Sequence, residues 1–494
     1  MKLPLRSRNI AGLLTIVGGV IMHLSIGATY TLGNFSPYFV SYYRNRTAET
    51  ELRNEDSLWL MTATLFGGAI GVSMSGLMVN RFGPRISLIL GIVVFCATTA
   101  LNYFSVRGSY AAMVIIYGFI NGFGNKIIYP IPVAIAIKCF PTRPSFVAGI
   151  ILAGYGGGAS IFNQVITAFI NPDNYSPDLV TKEGDRYFTQ PDLLDRVPYS
   201  FLVLGGLCFL LQVLGLLCIR EPAPEVLGNT EKDLVETKHG TEELSLPIIS
   251  NGKIEMTGKP EVVSIGSQTH VSDSIKRNSY HLGSSIILPT SAKDMGALEV
   301  IKLAFRTRAF YVVILSAMII NIGTGFVFNL YKSYGQTFIA DDKFLSVVGS
   351  MSSVFNCLGR PFWGLVMDRF GYRATLWCIS GGLTVSCATL TLTEMMPQGL
   401  FMLWVCVVTG LVCGQWASYP TTFSRLFGIK HMALLWGFIS WGTAFSSLLT
   451  SIAGTGLKSS LGFSGLFYIA SGTSGFGFLL TILFNGKDYT GGRI

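Results

Sequence analysis

Three ionisable side chains interrupt runs of the sequence that are otherwise apolar: His23, Lys126 and Arg360. A Lys or Arg at the centre of a membrane-spanning helix costs about 2.5–3.5 kcal/mol on insertion scales, so each is expected to face a water-filled cavity, a ligand or a partner. All 27 Asp and Glu can be assigned to loops, tails or the ends of apolar runs, which predicts no acidic partner for these cations within the membrane. An unpaired guanidinium presents a fork of donors that fits a carboxylate bidentately, and an unpaired ammonium adds a point charge. The chemistry expected of such residues is reversible binding of a small anion.

Arg360 lies in "SVVGSMSSVFNCLGRPFWG". Gly349, Ser353, Asn356, Arg360 and Gly364 recur at helical spacing as a small polar stripe able to line water, with Val347, Val354 and Leu358 turned away. The other reading is an arginine that snorkels or bonds carbonyls, since Asp368 is only about 12 Å further along the helix. Lys126 shares a stripe with Gly118, Gly122 and Tyr129 and has the same alternative. If both cations face one cavity about 8 Å apart, they repel by about 2 kcal/mol at an effective dielectric near 20, and a bound carboxylate relieves this. His23, Gly27, Tyr30 and Asn34 fall on one helical face. His23 is the deep group that ordinarily titrates near neutrality, so it is either a proton carrier or a hydrogen-bonded packing residue.

The elements that must position these residues are helices in a bilayer. Half of the 494 residues are hydrophobic, 13% are charged and the mean hydropathy is +0.51, which is membrane composition. Twelve apolar runs are long enough to span about 30 Å of hydrocarbon: 9–38, 57–79, 86–104, 110–138, 146–170, 198–219, 308–333, 344–367, 374–393, 398–424, 433–457 and 463–485. They are numbered here as spans 1 to 12, and they predict an all-α membrane protein. The net charge of +9 is dispersed at span ends without interleaved aromatics, which argues against a nucleic-acid partner. The first run is too long for a signal peptide and lacks a small-residue cleavage site. Nine cysteines in or beside spans, with no CxxC pair, predict neither disulfides nor zinc, and no cofactor is expected. "GYGGGA" (Gly154–Ala159) has no following Lys-Ser/Thr and reads as helix packing instead of a nucleotide loop, so no enzyme is expected.

The spans divide six and six. Residues 1–219 are expected to form one half, 308–494 the other with a short tail, and 220–307, rich in Glu, Lys, Ser and Thr, a mostly disordered cytosolic linker. Arg81/Arg85, Lys138/Arg143, Arg369/Arg373 and Arg425/Lys430 share one side with both termini, which the positive-inside rule makes cytosolic. The sequons at Asn45 and Asn174 fall on the other side, so glycosylation and a plasma-membrane location are expected. The halves also repeat: "GLMVNRFGPR" (Gly76–Arg85) returns as "GLVMDRFGYR" (Gly364–Arg373) after 288 residues, and "GNKIIYP" (Gly124–Pro130) returns as "GQWASYP" (Gly414–Pro420) after 290. Two matches at almost one offset indicate a duplicated six-helix unit.

Gly-x-x-x-Asp-Arg-x-Gly-x-Arg between spans 2 and 3 of each unit resembles the loop signature of the major facilitator superfamily. The resemblance implies twelve helices in two pseudo-symmetric halves and a conformational gate at Gly76, Asn80, Arg81, Gly83 and Arg85 and at Gly364, Asp368, Arg369, Gly371 and Arg373. Asn80 stands where the family has Asp. Tyr129–Ala159 and Tyr331–Gly364 resemble the oxalate:formate antiporter group, a neighbour of the monocarboxylate transporters. That likeness makes Arg360 the substrate-binding arginine of span 8 and Tyr30, in "GATYTLG", a cavity tyrosine. The expected substrate site is therefore Arg360, Lys126, Tyr30, Asn356, Tyr129 and Trp416, the last being the repeat counterpart of Lys126. Two departures limit the likeness. Met432–Leu457 lacks the span 11 lysine of the antiporters, and Asn356 replaces the acidic residue that precedes the arginine in proton-coupled relatives, whose span 1 lysine is also missing. The expected function is alternating-access transport, secondary active or facilitative, of small organic monocarboxylates such as lactate, pyruvate or formate. The alternatives are an oxalate or dicarboxylate exchanger and a non-transporting sensor, and the sequence leaves open whether an accessory subunit exists.

Overall fold

A computed structural model describes residues 5–140, 144–181, 185–220, 297–427 and 432–484. The expected linker falls almost wholly outside the described residues, although Ala297–Arg306 at its end is a helix. Hydrocarbon offers no hydrogen-bond partners, so a chain this apolar satisfies its backbone internally by forming helices. Nine helical segments among the described residues are long and apolar enough to cross a membrane. Two of them, within Ser57–Ser105 and Met432–Ile482, turn a corner and supply two spans each. The first part of Asp342–Thr389, made polar by the stripe that carries Arg360, is the remaining span, which brings the total to twelve.

The corners explain the repeated loop motif. Gly83 has φ 80° and ψ 165°, and Gly371 has φ 81° and ψ 172°, a backbone conformation that disfavours any Cβ. Ser87 Oγ donates to the Gly83 carbonyl at 2.7 Å and Thr375 Oγ1 to the Gly371 carbonyl at 2.8 Å, so even the corner caps are duplicated. A third corner, at Gly462 with φ 64°, joins spans 11 and 12.

Two spans differ from the continuous helices expected. Span 1 runs on to Arg46 and is broken at Gly27–Thr31 by a 3-10 turn. At this break the backbone meets span 5 directly: a Cβ on Gly27 would lie 2.3 Å from the Tyr155 carbonyl oxygen. Span 4 passes from a π-helical stretch, Val114–Ile120, to the helix Asn121–Ile128 and on through Tyr129, whose φ −53° and ψ −51° stay helical, to Pro130–Cys139. Pro130 has no N–H to return to the Lys126 carbonyl, which ends that hydrogen-bond ladder one turn after Lys126. Both irregular stretches carry expected site residues, Tyr30 in the first and Lys126 and Tyr129 beside Pro130 in the second. Between spans 5 and 6, Leu179–Val180 and Arg186–Tyr187 form a short antiparallel ladder with Leu179 opposite Tyr187.

The GYGGGA segment packs as expected. A Cβ on Gly154 would lie 2.5 Å from the Val20 carbonyl oxygen and one on Gly158 2.4 Å from that of Leu24, so spans 1 and 5 approach to backbone contact. Leu77, Phe104, Leu217 and Leu358 are among the large apolar side chains left exposed, as on a surface solvated by lipid tails.

Candidate functional site

A cavity with about 100 Å³ of space that water can reach lies between the two halves, its walls drawn from spans 1, 2, 4 and 5 on one side and 7, 10 and 11 on the other. Lys126 lines it, with Nζ donating to the Tyr155 hydroxyl at 3.1 Å and lying 4.1 Å from the centre of the Tyr129 ring. No carboxylate stands within ion-pair distance of Lys126 among the described residues. Trp416 forms part of the wall contributed by the second half, as its repeat position suggested.

Arg360 is 1% exposed, so its head reaches neither surface. Its Nε donates to Asn356 Oδ1 at 2.9 Å and its Nη2 to the Tyr30 hydroxyl at 3.4 Å, while Nη1 has no hydrogen-bond partner among the described residues. Tyr30 lines the cavity and its ring packs edge-on against Tyr155 at 5.0 Å. All six expected substrate residues converge here, four on the cavity wall and Asn356 and Arg360 directly behind Tyr30. The stripes were only partly right. Gly349, Ser353 and Asn356 do line open space, but Gly118 and Gly122 pack against span 2, where a Cβ on Gly122 would lie 2.2 Å from the Thr64 carbonyl oxygen.

Tyr155 was missed. Its ring lies 4.4 Å from Lys126 Nζ and 5.7 Å from the Arg360 guanidinium carbon, so it stands beside both cations. The signal was present: a single large side chain in a run of small residues fills whatever space that run opens.

The face expected for His23, Gly27, Tyr30 and Asn34 is divided by the 3-10 turn. His23 is fully buried and absent from the cavity wall, with Nδ1 2.8 Å from the Gly19 carbonyl oxygen and Nε2 3.0 Å from that of Tyr129. A neutral imidazole donates to only one of them. His23→Gln, which keeps a donor there, is expected to leave the pH profile of uptake unchanged and to lower thermal stability. A flattened profile would make His23 the proton carrier.

The expectation that His23, Lys126 and Arg360 are the deep ionisable groups is incomplete, because other cations are buried elsewhere in the molecule, with acidic partners. Lys332 and Asp342, both with fully buried side chains, form an ion pair of 2.9 Å. Lys458 pairs with Glu55 and with Asp185 at 2.7 Å each. Hydropathy puts these residues at span ends and in loops, whereas the loops fold inward and join the halves on the face opposite the Gly83 and Gly371 corners. Lys458 follows directly on the cation-free Met432–Leu457 stretch, but its two carboxylates already neutralise it. On the same face Asn174, at φ 59°, donates from its amide to Asp341 Oδ1 at 3.0 Å, through the nitrogen a glycan would occupy. Asn45 is exposed and donates to the Phe188 carbonyl at 3.2 Å.

At the repeated loops, Asn80, Arg81, Arg85, Arg369 and Arg373 are exposed, and Gly76 and Gly364 face open space. Arg81 stands 5.7 Å from the Phe82 ring and Arg369 5.8 Å from the Phe370 ring, another duplicated feature. The Asp368 side chain lies outside the described residues.

The Major Facilitator Superfamily profile matches residues 19–340 and 313–492. The chain belongs to that family. It is 23% identical over 491 residues to apicoplast pyruvate carrier 1 of Toxoplasma gondii, covering 90% of this chain and 83% of that one. It is 22% identical over 405 residues to the oxalate:formate antiporter of Oxalobacter formigenes, covering 82% and 76%. Among solved structures, the partially occluded inward-open xylose transporter XylE from E. coli superposes with a TM-score of 0.62 at 15% identity, covering 97% of each chain. That likeness carries the fold alone. The protein is thus a multi-pass membrane transporter of this family and not an enzyme.

Proposed function

We propose that the protein carries small organic monocarboxylate anions, such as pyruvate, lactate or formate, by alternating access of its two halves around Arg360 and Lys126. One contrast supports this reading. The buried Lys332 and Lys458 each hold carboxylates at 2.9 Å or closer, whereas Arg360 and Lys126 hold none among the described residues. A cation buried without a counter-ion is costly, and a bound carboxylate removes the cost. Relatives named for pyruvate and for oxalate and formate agree with an anion of this size. Oxalate is the second choice, with Lys126 serving its other carboxylate in place of the lysine missing from span 11. The charge bias and the sequons support cytosolic termini and a plasma-membrane location. Residues 1–219 and 308–494 are proposed as the moving halves, and the repeated loops as their cytosolic gate.

Uptake of labelled pyruvate into proteoliposomes tests the proposal. Saturable uptake is expected, whereas binding without uptake would favour a sensor with a carrier fold. Lys126→Ala should weaken apparent affinity about threefold to tenfold, the size of one lost contact, since Lys126 acts mainly through the cavity's field. A loss exceeding that of Arg360→Ala would reverse the two roles.

A further inference from the structure

The ion pairs of Lys458 differ from others in the molecule in where their members stand. Arg46–Asp195 and Arg196–Asp173 lie within the first half and Lys332–Asp342 within the second, so motion of one half against the other leaves each of them intact. Lys458 belongs to the second half, just before the Gly462 corner, whereas Glu55 stands in the turn before span 2 and Asp185 in the hairpin between spans 5 and 6. Opening this face parts the ammonium from both carboxylates.

The charges at this junction do not balance. Lys458 Nζ donates to Glu55 Oε2 and to Asp185 Oδ1 at 2.7 Å each, and all three side chains are buried. One ammonium thus answers two carboxylates where water scarcely reaches. Arg53, with its guanidinium 3.9 Å from Glu55 Oε1, is 41% exposed and screened by solvent, so it offsets little of the excess. Beyond these stand the Phe463 ring, 4.5 Å from Nζ, and Tyr187, whose ring has Arg44 at 4.3 Å. Two carboxylates sharing one buried site favour holding a proton, because ionising both leaves an uncompensated charge out of water. Burial pushes the Glu55 carboxyl up from its ordinary value, against the pull of Lys458.

We propose that Glu55 and Asp185 form a proton-binding site that fills when the two halves close on Lys458 and empties when they part. The inference rests on the halves moving against each other, as in the reading above, but not on which anion is carried. With one proton bound, a single carboxylate answers the ammonium and the buried cluster is neutral. Without it the closed face holds an extra negative charge, which water relieves once the face opens. The closed state therefore binds the proton more tightly than the open one. Acid favours closure, fully so below the ordinary carboxylate value, and the advantage is lost as pH rises through the raised value of the closed state. The Lys332–Asp342 pair, balanced one to one, adds no such dependence.

Single-molecule energy transfer between fluorophores at Thr50 and Gln398, exposed on this face in the first and second halves, tests the site in lipid nanodiscs without any substrate. In the unaltered protein the ratio of closed to open populations is expected to rise as pH falls from about 8 to about 5, by at most about tenfold per pH unit for one proton. Glu55→Gln mimics the protonated carboxyl and should stay closed across that range, and Asp185→Asn should do the same from the other carboxylate. A plain ionic latch predicts the opposite, since losing either carboxylate would open the face. Populations that ignore pH in the unaltered protein, or variants that open or keep its pH slope, would overturn the proton site. Pyruvate uptake by the unaltered protein tests the carrier reading separately.

Discussion

Arg360→Ala is expected to reduce uptake by roughly a hundredfold or more while the protein still folds and reaches the membrane. A charge-assisted hydrogen bond contributes about 1.5–3 kcal/mol, and a bidentate carboxylate loses two at once. Folding should survive because the deleted cation is buried at 1% exposure with no acidic partner among the described residues, so its removal also removes a desolvation cost. The losses on the protein side among the described residues include the hydrogen bonds to Asn356 and Tyr30 and the contact with the Tyr155 ring. Arg360→Lys separates charge from geometry, because an ammonium keeps the field but not the planar fork, and uptake should again fall steeply. Initial uptake rates normalised to surface expression are the measurement. Unmodified rates in Arg360→Ala would mean that the guanidinium serves packing alone.

The second large effect belongs to the Lys332–Asp342 pair, and it concerns stability. Lys332→Met leaves the Asp342 carboxylate buried without its ammonium, which typically costs about 3–5 kcal/mol. Adding Asp342→Asn should restore most of the loss, since removing both charges of a buried pair is often close to neutral. The pair is also an inter-half contact. Asn171 donates to Asp342 Oδ2 at 3.0 Å, Tyr38 donates to the same carboxylate, and Lys332 donates to Asn34 Oδ1 at 3.0 Å, all three partners coming from spans 1 and 5 or their ends. Opening this face separates Lys332 and Asp342 from those partners but not from each other. Thermal unfolding of the purified variants decides the matter: a double variant no more stable than Lys332→Met would show that the charges are not coupled.

The fold was legible because its signals are local. Apolar runs of membrane length and a motif repeated after 288 residues required no knowledge of distant contacts, and the φ of Gly83 and Gly371 shows why that motif keeps its glycine. The cationic centre was legible for a related reason, since Arg360 and Lys126 are anomalous in their own helices. What failed was long-range. Lys458 and Glu55 are 403 positions apart, and nothing in either neighbourhood marks the other. Assigning every acidic residue to loops, tails or span ends treated those places as solvent, whereas Glu55, Asp185 and Asp342 are buried there against lysines. Tyr155 was overlooked because the glycines around it explained the segment sufficiently by themselves. The 3-10 turn at Gly27–Thr31 and the ladder hydrogen bond missing at Pro130 leave no mark in hydropathy, which averages across both.

Charge selectivity is the property on which the account depends most. Competition of labelled pyruvate uptake in proteoliposomes by unlabelled lactate, formate, oxalate, propionate, xylose and choline measures it in one experiment. Monocarboxylates should compete best, oxalate less well, and the neutral sugar and the cation not at all. Competition by xylose or choline equal to that of the carboxylates would contradict an anion site built on Arg360 and Lys126.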